Sequence, residues 1–156
     1  MPANIVHQPA STYLQVAKLV SPRPNRVGIT SAISLHEHIR NGFPRNWVVY
    51  FMRNLGGVPV EDSLRVLNIS ERTFHRIKSE NDAAPMDADQ SARLWNFGEV
   101  LAKAEEVLGT REAALEWLRK KAVGLEGHRP LELMETAQGA EIVKTLLDRM
   151  AFGVYA

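Results

Sequence analysis

No cysteine occurs among the 156 residues, so the chain has neither a disulfide frame nor thiolate metal ligands. No apolar run approaches the roughly 18 residues that would cross a bilayer. The opening Met1-Pro2-Ala3-Asn4 has no basic stretch leading into an apolar one, so the expectation is no signal peptide and a cytoplasmic protein. Strand-like alternation of useful length is missing, as are repeats and low-complexity tracts. Leu55-Gly56-Gly57-Val58-Pro59 reads as a helix end, not as a phosphate cradle, and no serine sits in a nucleophile elbow. The five histidines, His7, His36, His38, His75 and His128, are scattered. His36 and His38 diverge by about 200° on a helix and cannot share a metal. Together these absences argue against an enzyme, a cofactor, a metal site and a membrane partner.

What is present suits a small helical protein. Hydrophobic residues make up 45% and charged residues 24%, enough to bury a core. The net charge of +1 is unevenly spread: residues 1–85 hold ten Lys/Arg against six Asp/Glu (+4), and residues 86–156 hold nine against twelve (−3). A basic front half fits a polyanion, and an acidic back half does not.

Residues 1–30 are weakly patterned and broken by Pro2, Pro9, Pro22 and Pro24. Within them Tyr13–Val20 fits either a strand or one packed turn. Helical signals begin at Ser31, a cap for a helix with Ala32, Leu35 and Ile39 on one face, ended by Asn41-Gly42. Pro44 opens a helix with Trp47, Phe51 and Leu55 in a row. Two short helices over Val60–Leu67 and Glu71–Glu80 follow, and Asn81–Pro85 reads as a hinge. In the second half Asp87 caps a long helix bearing Leu94, Phe97, Leu101, Ala104 and Leu108, with Gln90 placed to reach back, and Gly109 stops it. Thr110 caps a helix to about Lys120 with Ala114, Trp117 and Leu118 inward. Pro130–Glu135 forms one or two turns, and Thr136 caps a last helix striped by Ile142, Val143, Leu146, Leu147 and Met150. The reading is an all-α chain: an extension (1–30), a helix-turn-helix unit (31–85) and a small helical domain (86–156).

The helix-turn-helix reading rests on Val60–Lys78. Such a unit needs two short helices joined by a tight turn. Leu64 and Leu67 supply the first helix's inward face, and Asn68 tolerates the left-handed turn position. Ile69 is the apolar residue after the turn, Ser70 the cap, and Phe74 and Ile77 face inward. Ser70, Arg72, Thr73, His75, Arg76 and Lys78 are then the candidate DNA-binding residues. Arg72, Thr73 and Arg76 are assigned to base edges, and Ser70 and Lys78 to phosphates. The same residues also fit two bundle helices with a solvated basic face.

The chain stops at Phe152-Gly153-Val154-Tyr155-Ala156, apolar and aromatic where chain ends are ordinarily polar. This tail is either folded onto its own bundle or presented to a partner. In the second case Leu146, Arg149, Met150, Phe152, Gly153, Val154, Tyr155 and Ala156 form the candidate partner-binding set, because aromatics and arginine dominate interface energetics.

Trp117-Leu118, Leu125, Gly127, Pro130 to Leu133, Thr136, Gly139 and Gly153-Val154-Tyr155 together resemble the toxin-binding domain of Xre/MbcA/ParS-type antitoxins. The helix-turn-helix in front resembles the DNA-binding domain of the same antitoxins, and the likeness spans about residues 45–156. The sequence departs from the family pattern at Lys121, where proline is common, and at Glu126, the first of a glycine pair. The resemblance implies an antitoxin that accompanies a RES-domain toxin, a relative of ADP-ribosyl-transferring enzymes acting on NAD. It further implies blockage of the toxin's active-site entrance, repression of the chain's own operon by promoter binding, and a homodimer within a toxin–antitoxin hetero-oligomer. A stand-alone helix-turn-helix transcriptional regulator is the alternative. An adaptor without a DNA role is a third reading.

Overall fold

A long central helix organises the chain. The structure, a computed structural model, describes residues 10–153. Among these it is helical, and the only β-type pairing is an isolated antiparallel bridge between Pro44 and Pro85. The helices are α1 (Ala10–Val20), α2 (Ala32–Asn41), α3 (Asn46–Asn54), α4 (Val60–Leu67), α5 (Glu71–Glu80), α6 (Ala88–Leu108), α7 (Arg111–Arg119), α8 (Pro130–Leu133) and α9 (Ala137–Ala151). Leu94, Trp95, Phe97, Val100, Leu101 and Ala104 of α6 are all buried. They can be, because α1, α2, α4, α7 and α9 all pack against α6. A helix that is apolar around most of its circumference belongs inside.

The segment left open between strand and turn is a helix. α1 buries Tyr13, Val16, Ala17, Leu19 and Val20. It lies so close to α6 that a Cβ on Gly98 would stand 2.8 Å from Val20 Cγ1 and 3.1 Å from Val16 Cγ1. Two side chains of α3 finish its carboxyl end: Asn54 Nδ2 donates to the Leu19 carbonyl at 2.8 Å, and Tyr50 Oη to Lys18 at 3.2 Å.

The caps follow the sequence closely. Ser31 and Ser34 exchange reciprocal side-chain bonds at the start of α2, and Gly42 ends it at φ +86°. The Asp87, Thr110 and Thr136 side chains accept the amides of Gln90, Ala113 and Gly139. The expected return bond from Gln90 is not made; its side-chain Nε2 instead donates to the Asn68 carbonyl at 3.1 Å and ties α6 to the helix-turn-helix turn.

Three further expectations change. Asn81–Pro85 is a clamp and not a hinge: Arg45 N donates to Ala84 O at 2.9 Å, Met86 N donates to Phe43 O at 2.8 Å, and Met86 is buried. Backbone pairing on both sides of Pro85 ties the segment to the Phe43–Arg45 stretch, and the residues on either side share one core. Ile142 leaves the inward stripe of α9 and is 45% exposed, because the buried face is centred on Val143 and Leu147. Trp117 is only half-buried, at the edge of the core.

Candidate functional site

The α4–α5 unit has the local geometry that its sequence calls for. Asn68 ends α4 in the left-handed region (φ 53°, ψ 46°), and Ile69 turns into the core. Ser70 caps α5 by accepting the Thr73 amide at 3.1 Å, and its hydroxyl donates to Thr73 Oγ1 at 2.9 Å. Phe74 and Ile77 are buried. Their burial fixes the roll of α5 and leaves Arg72, His75 and Lys78 exposed. Ser70→Ala is expected to cost about 1 kcal/mol through loss of the cap, read as a lower midpoint of thermal unfolding.

Arg76 differs from its neighbours. Its Nη1 donates to Asp82 Oδ2 at 2.9 Å and to Glu80 Oε2 at 3.2 Å. The same Asp82 oxygen accepts Arg45 Nη1 at 3.0 Å, and Oδ1 accepts the Ala84 amide at 2.9 Å. The Ala84 amide first, then the Arg76 and Arg45 guanidiniums, hold the Asp82 carboxyl down at about 2, and the same pairing raises Arg76. The clamp is therefore charged at neutral pH. It opens only as acid takes the solution down through that value, because a depressed carboxyl pKa favours the folded state at higher pH. Sequence reading placed Arg76 at base edges and Asp82 in a linker; the structure joins them. The available signal was an acidic residue directly after a helix's Asn cap.

The helix-turn-helix unit is fastened to the rest by α6. Arg93 Nη1 donates to the carbonyls of Val66 at 3.3 Å and Glu135 at 2.8 Å, bridging the end of α4 to the turn before α9. Arg129 approaches Asp62 of α4 at 3.6 Å and pairs with Glu132 at 2.8 Å.

A second surface lies at the far end. The 3-10 turn Val123–Leu125 sits against α9, with Gly124 so near Leu146 that a Cβ would meet its Cδ1 at 2.9 Å. On one side of this contact is a groove of about 350 Å³ walled by Trp117, Lys121, Val123, Leu146 and Met150. On the other is one of about 310 Å³ walled by Gln138, Glu141, Ile142, Thr145 and Arg149. Val123 is 94% and Phe152 84% exposed. Leu146, expected among the partner-contacting residues, is buried and forms the floor between the grooves. Gly124 packs directly against its side chain and helps to cover it. Arg149, Phe152 and Gly153 are exposed and Met150 is half-buried, while Val154, Tyr155 and Ala156 lie outside the described residues. Val123 and Ile142 were not singled out as surface residues; the cue for Val123 was an apolar side chain between two lysines and a glycine.

Glu126 carries the departure from the glycine pair. It adopts φ +54°, a left-handed conformation that glycine takes without strain, and Gly127 follows at φ +81°. Among the described residues no group of three or more His, Asp or Glu could hold a metal ion, and no helix is long and apolar enough to cross a membrane.

Residues 34–98 match the family model of the antitoxin Xre-like helix-turn-helix domain. Residues 103–153 match that of the antitoxin Xre/MbcA/ParS C-terminal toxin-binding domain. The chain is 31% identical over 125 residues to antitoxin Xre of Pseudomonas putida, covering 80% of this chain and 76% of that protein. It is 26% identical over 137 residues to antitoxin Xre of Photorhabdus laumondii, covering 86% and 90%. With both regions matched in order, and a relative aligned over most of its length, the chain belongs to the Xre family of antitoxins.

Proposed function

We propose that this antitoxin neutralises a RES-domain, NAD-consuming toxin by placing its carboxyl-terminal end over the toxin's active-site entrance, and that it represses its own operon through α5. The observation that carries the first part is Phe152. Helix α9 buries Val143, Leu146 and Leu147, yet ends in an aromatic side chain that is 84% exposed. Desolvating such a side chain in a partner's cavity releases free energy that its own fold leaves unused. The exposed Arg149 and the sequence-adjacent Val154, Tyr155 and Ala156 belong to the same proposed toxin-binding set. Functionally, residues 31–85 supply the DNA reader and residues 86–156 the toxin clamp, working as a homodimer inside a toxin–antitoxin hetero-oligomer in the cytoplasm.

Co-expression tests the toxin part. The full chain should restore growth of cells expressing the RES-domain product of the adjacent reading frame, keep their NAD level, and co-purify with that product. Failure to co-purify would leave the stand-alone regulator as the better reading.

The DNA part rests on Arg72, exposed in the first turn of α5 with the backbone there fixed by the Ser70 cap. Arg72→Ala is expected to weaken binding to a duplex taken from upstream of the chain's own reading frame by about ten- to a hundredfold. Unaltered affinity in a titration would remove Arg72 from the base-reading set.

A further inference from the structure

We infer that Asp82 is a specificity-determining residue for DNA: it holds Arg76 and Arg45 in one ion-paired cluster, withdraws both cations from indiscriminate phosphate contact, and fixes the guanidinium of Arg76 for base contact. This inference rests on the helix-turn-helix reading of α4–α5. The geometry is that of a hub. A single carboxylate oxygen accepts Arg76 at 2.9 Å and Arg45 at 3.0 Å, while the other oxygen is tied to the Ala84 amide at 2.9 Å. The backbone holds the hub in turn: Asp82 N donates to Ile77 O at 3.1 Å, and Ala84 O accepts Arg45 N at 2.9 Å. The Asp82 side chain is 13% exposed, against 41% for Arg76 and 37% for Arg45. The anchor is thus largely enclosed while the two cations remain at the surface.

Both acidic contacts of Arg76 use Nη1. The rest of the fork, Nε and Nη2, remains for the paired acceptors of a guanine edge. A guanidinium held in one orientation loses less conformational freedom on contact than a free one. The paired charge also matters at a distance. Generic attraction to a duplex grows with each cation free to neutralise a phosphate, and shows itself as a steeper fall of affinity with salt. Two arginines tied to one carboxylate are less available for phosphate contact, and add less to that attraction, than two free ones. Specificity is the ratio of the two affinities, so lowering generic binding raises it.

The test measures the full-length chain against two duplexes, one from upstream of its own reading frame and one of the same composition in scrambled order, across a salt series. For Asp82→Asn, the expected result is scrambled-duplex binding tighter by roughly tenfold at low salt, with a log–log salt slope steeper by about one to two. The ratio between the duplexes should fall. Arg76→Gln, which leaves the backbone clamp intact, guards against loss of folding in the first variant. It should leave the scrambled-duplex slope unchanged and weaken the upstream duplex alone. A slope unchanged in Asp82→Asn, or flattened by a full unit in Arg76→Gln, would overturn the inference while leaving the DNA reader standing. A wild-type chain with no salt-dependent binding to either duplex would overturn both.

Discussion

Gly139→Ala is expected to lower the midpoint of thermal unfolding by roughly 10 °C, corresponding to about 3 kcal/mol at a few degrees per kcal/mol for a chain of this size. Gly139 lies in the first turn of α9, where the Thr136 side chain accepts its amide at 2.9 Å. A Cβ built there would stand 1.7 Å from the Leu133 carbonyl oxygen and 2.6 Å from its carbon. Those are backbone atoms of α8, so no rotamer change relieves the overlap. Either α8 and α9 separate, uncovering Leu131, Met134 and Ala140, or the cap breaks. The better helix propensity of alanine, worth about 1 kcal/mol, is too small to compensate. Gly124→Ala is the control. Its new methyl would meet Leu146 Cδ1 at 2.9 Å, the far end of a flexible side chain, and should cost less than about 1 kcal/mol. Scanning calorimetry on both proteins decides the matter; equal midpoints would show that the close approach at Gly139 carries no weight.

Phe152→Asp is expected to weaken the toxin complex by at least about 30-fold while leaving the antitoxin's own stability within roughly 0.5 kcal/mol. The asymmetry follows from exposure. With 84% of Phe152 already in water, its removal uncovers nothing in the fold. A buried aromatic anchor at an interface is worth 2 kcal/mol or more, and a carboxylate in its place must be desolvated as well. Isothermal titration against the purified toxin measures the first quantity, and thermal unfolding the second. Wild-type affinity would remove Phe152 from the interface. A truncation gives the same test only if cut at Phe152. Removing residues 149–156 would also strip Met150, which packs against the core from the last turn of α9.

Much of the helix-turn-helix was legible because its determinants are local. The bounds of α4 and α5 depend on a left-handed Asn68, a Ser70 cap and the spacing of Leu64, Leu67, Phe74 and Ile77, all within a few residues of one another. The candidate site was less so. That Arg76 is held by Asp82 depends on how the chain after α5 folds back onto Arg45, a contact between positions 37 residues apart. That Leu146 is floor and Ile142 rim depends on where the Val123–Leu125 turn lands on α9.

The sequence by itself determined the helices from α2 onward and most of their caps, because hydrogen-bonded ends and apolar periodicity are short-range properties written in neighbouring residues; the family was legible separately, as a resemblance carried by the motifs from Trp117 to Tyr155. Only the tertiary structure decided that α1 is a helix locked onto Gly98, that Asn81–Pro85 is a clamp, and that Phe152 stays outside while Leu146 goes in. The reason is physical. A weakly patterned segment takes its conformation from the surface it covers, and an apolar side chain is buried or left exposed according to which distant part of the chain arrives beside it.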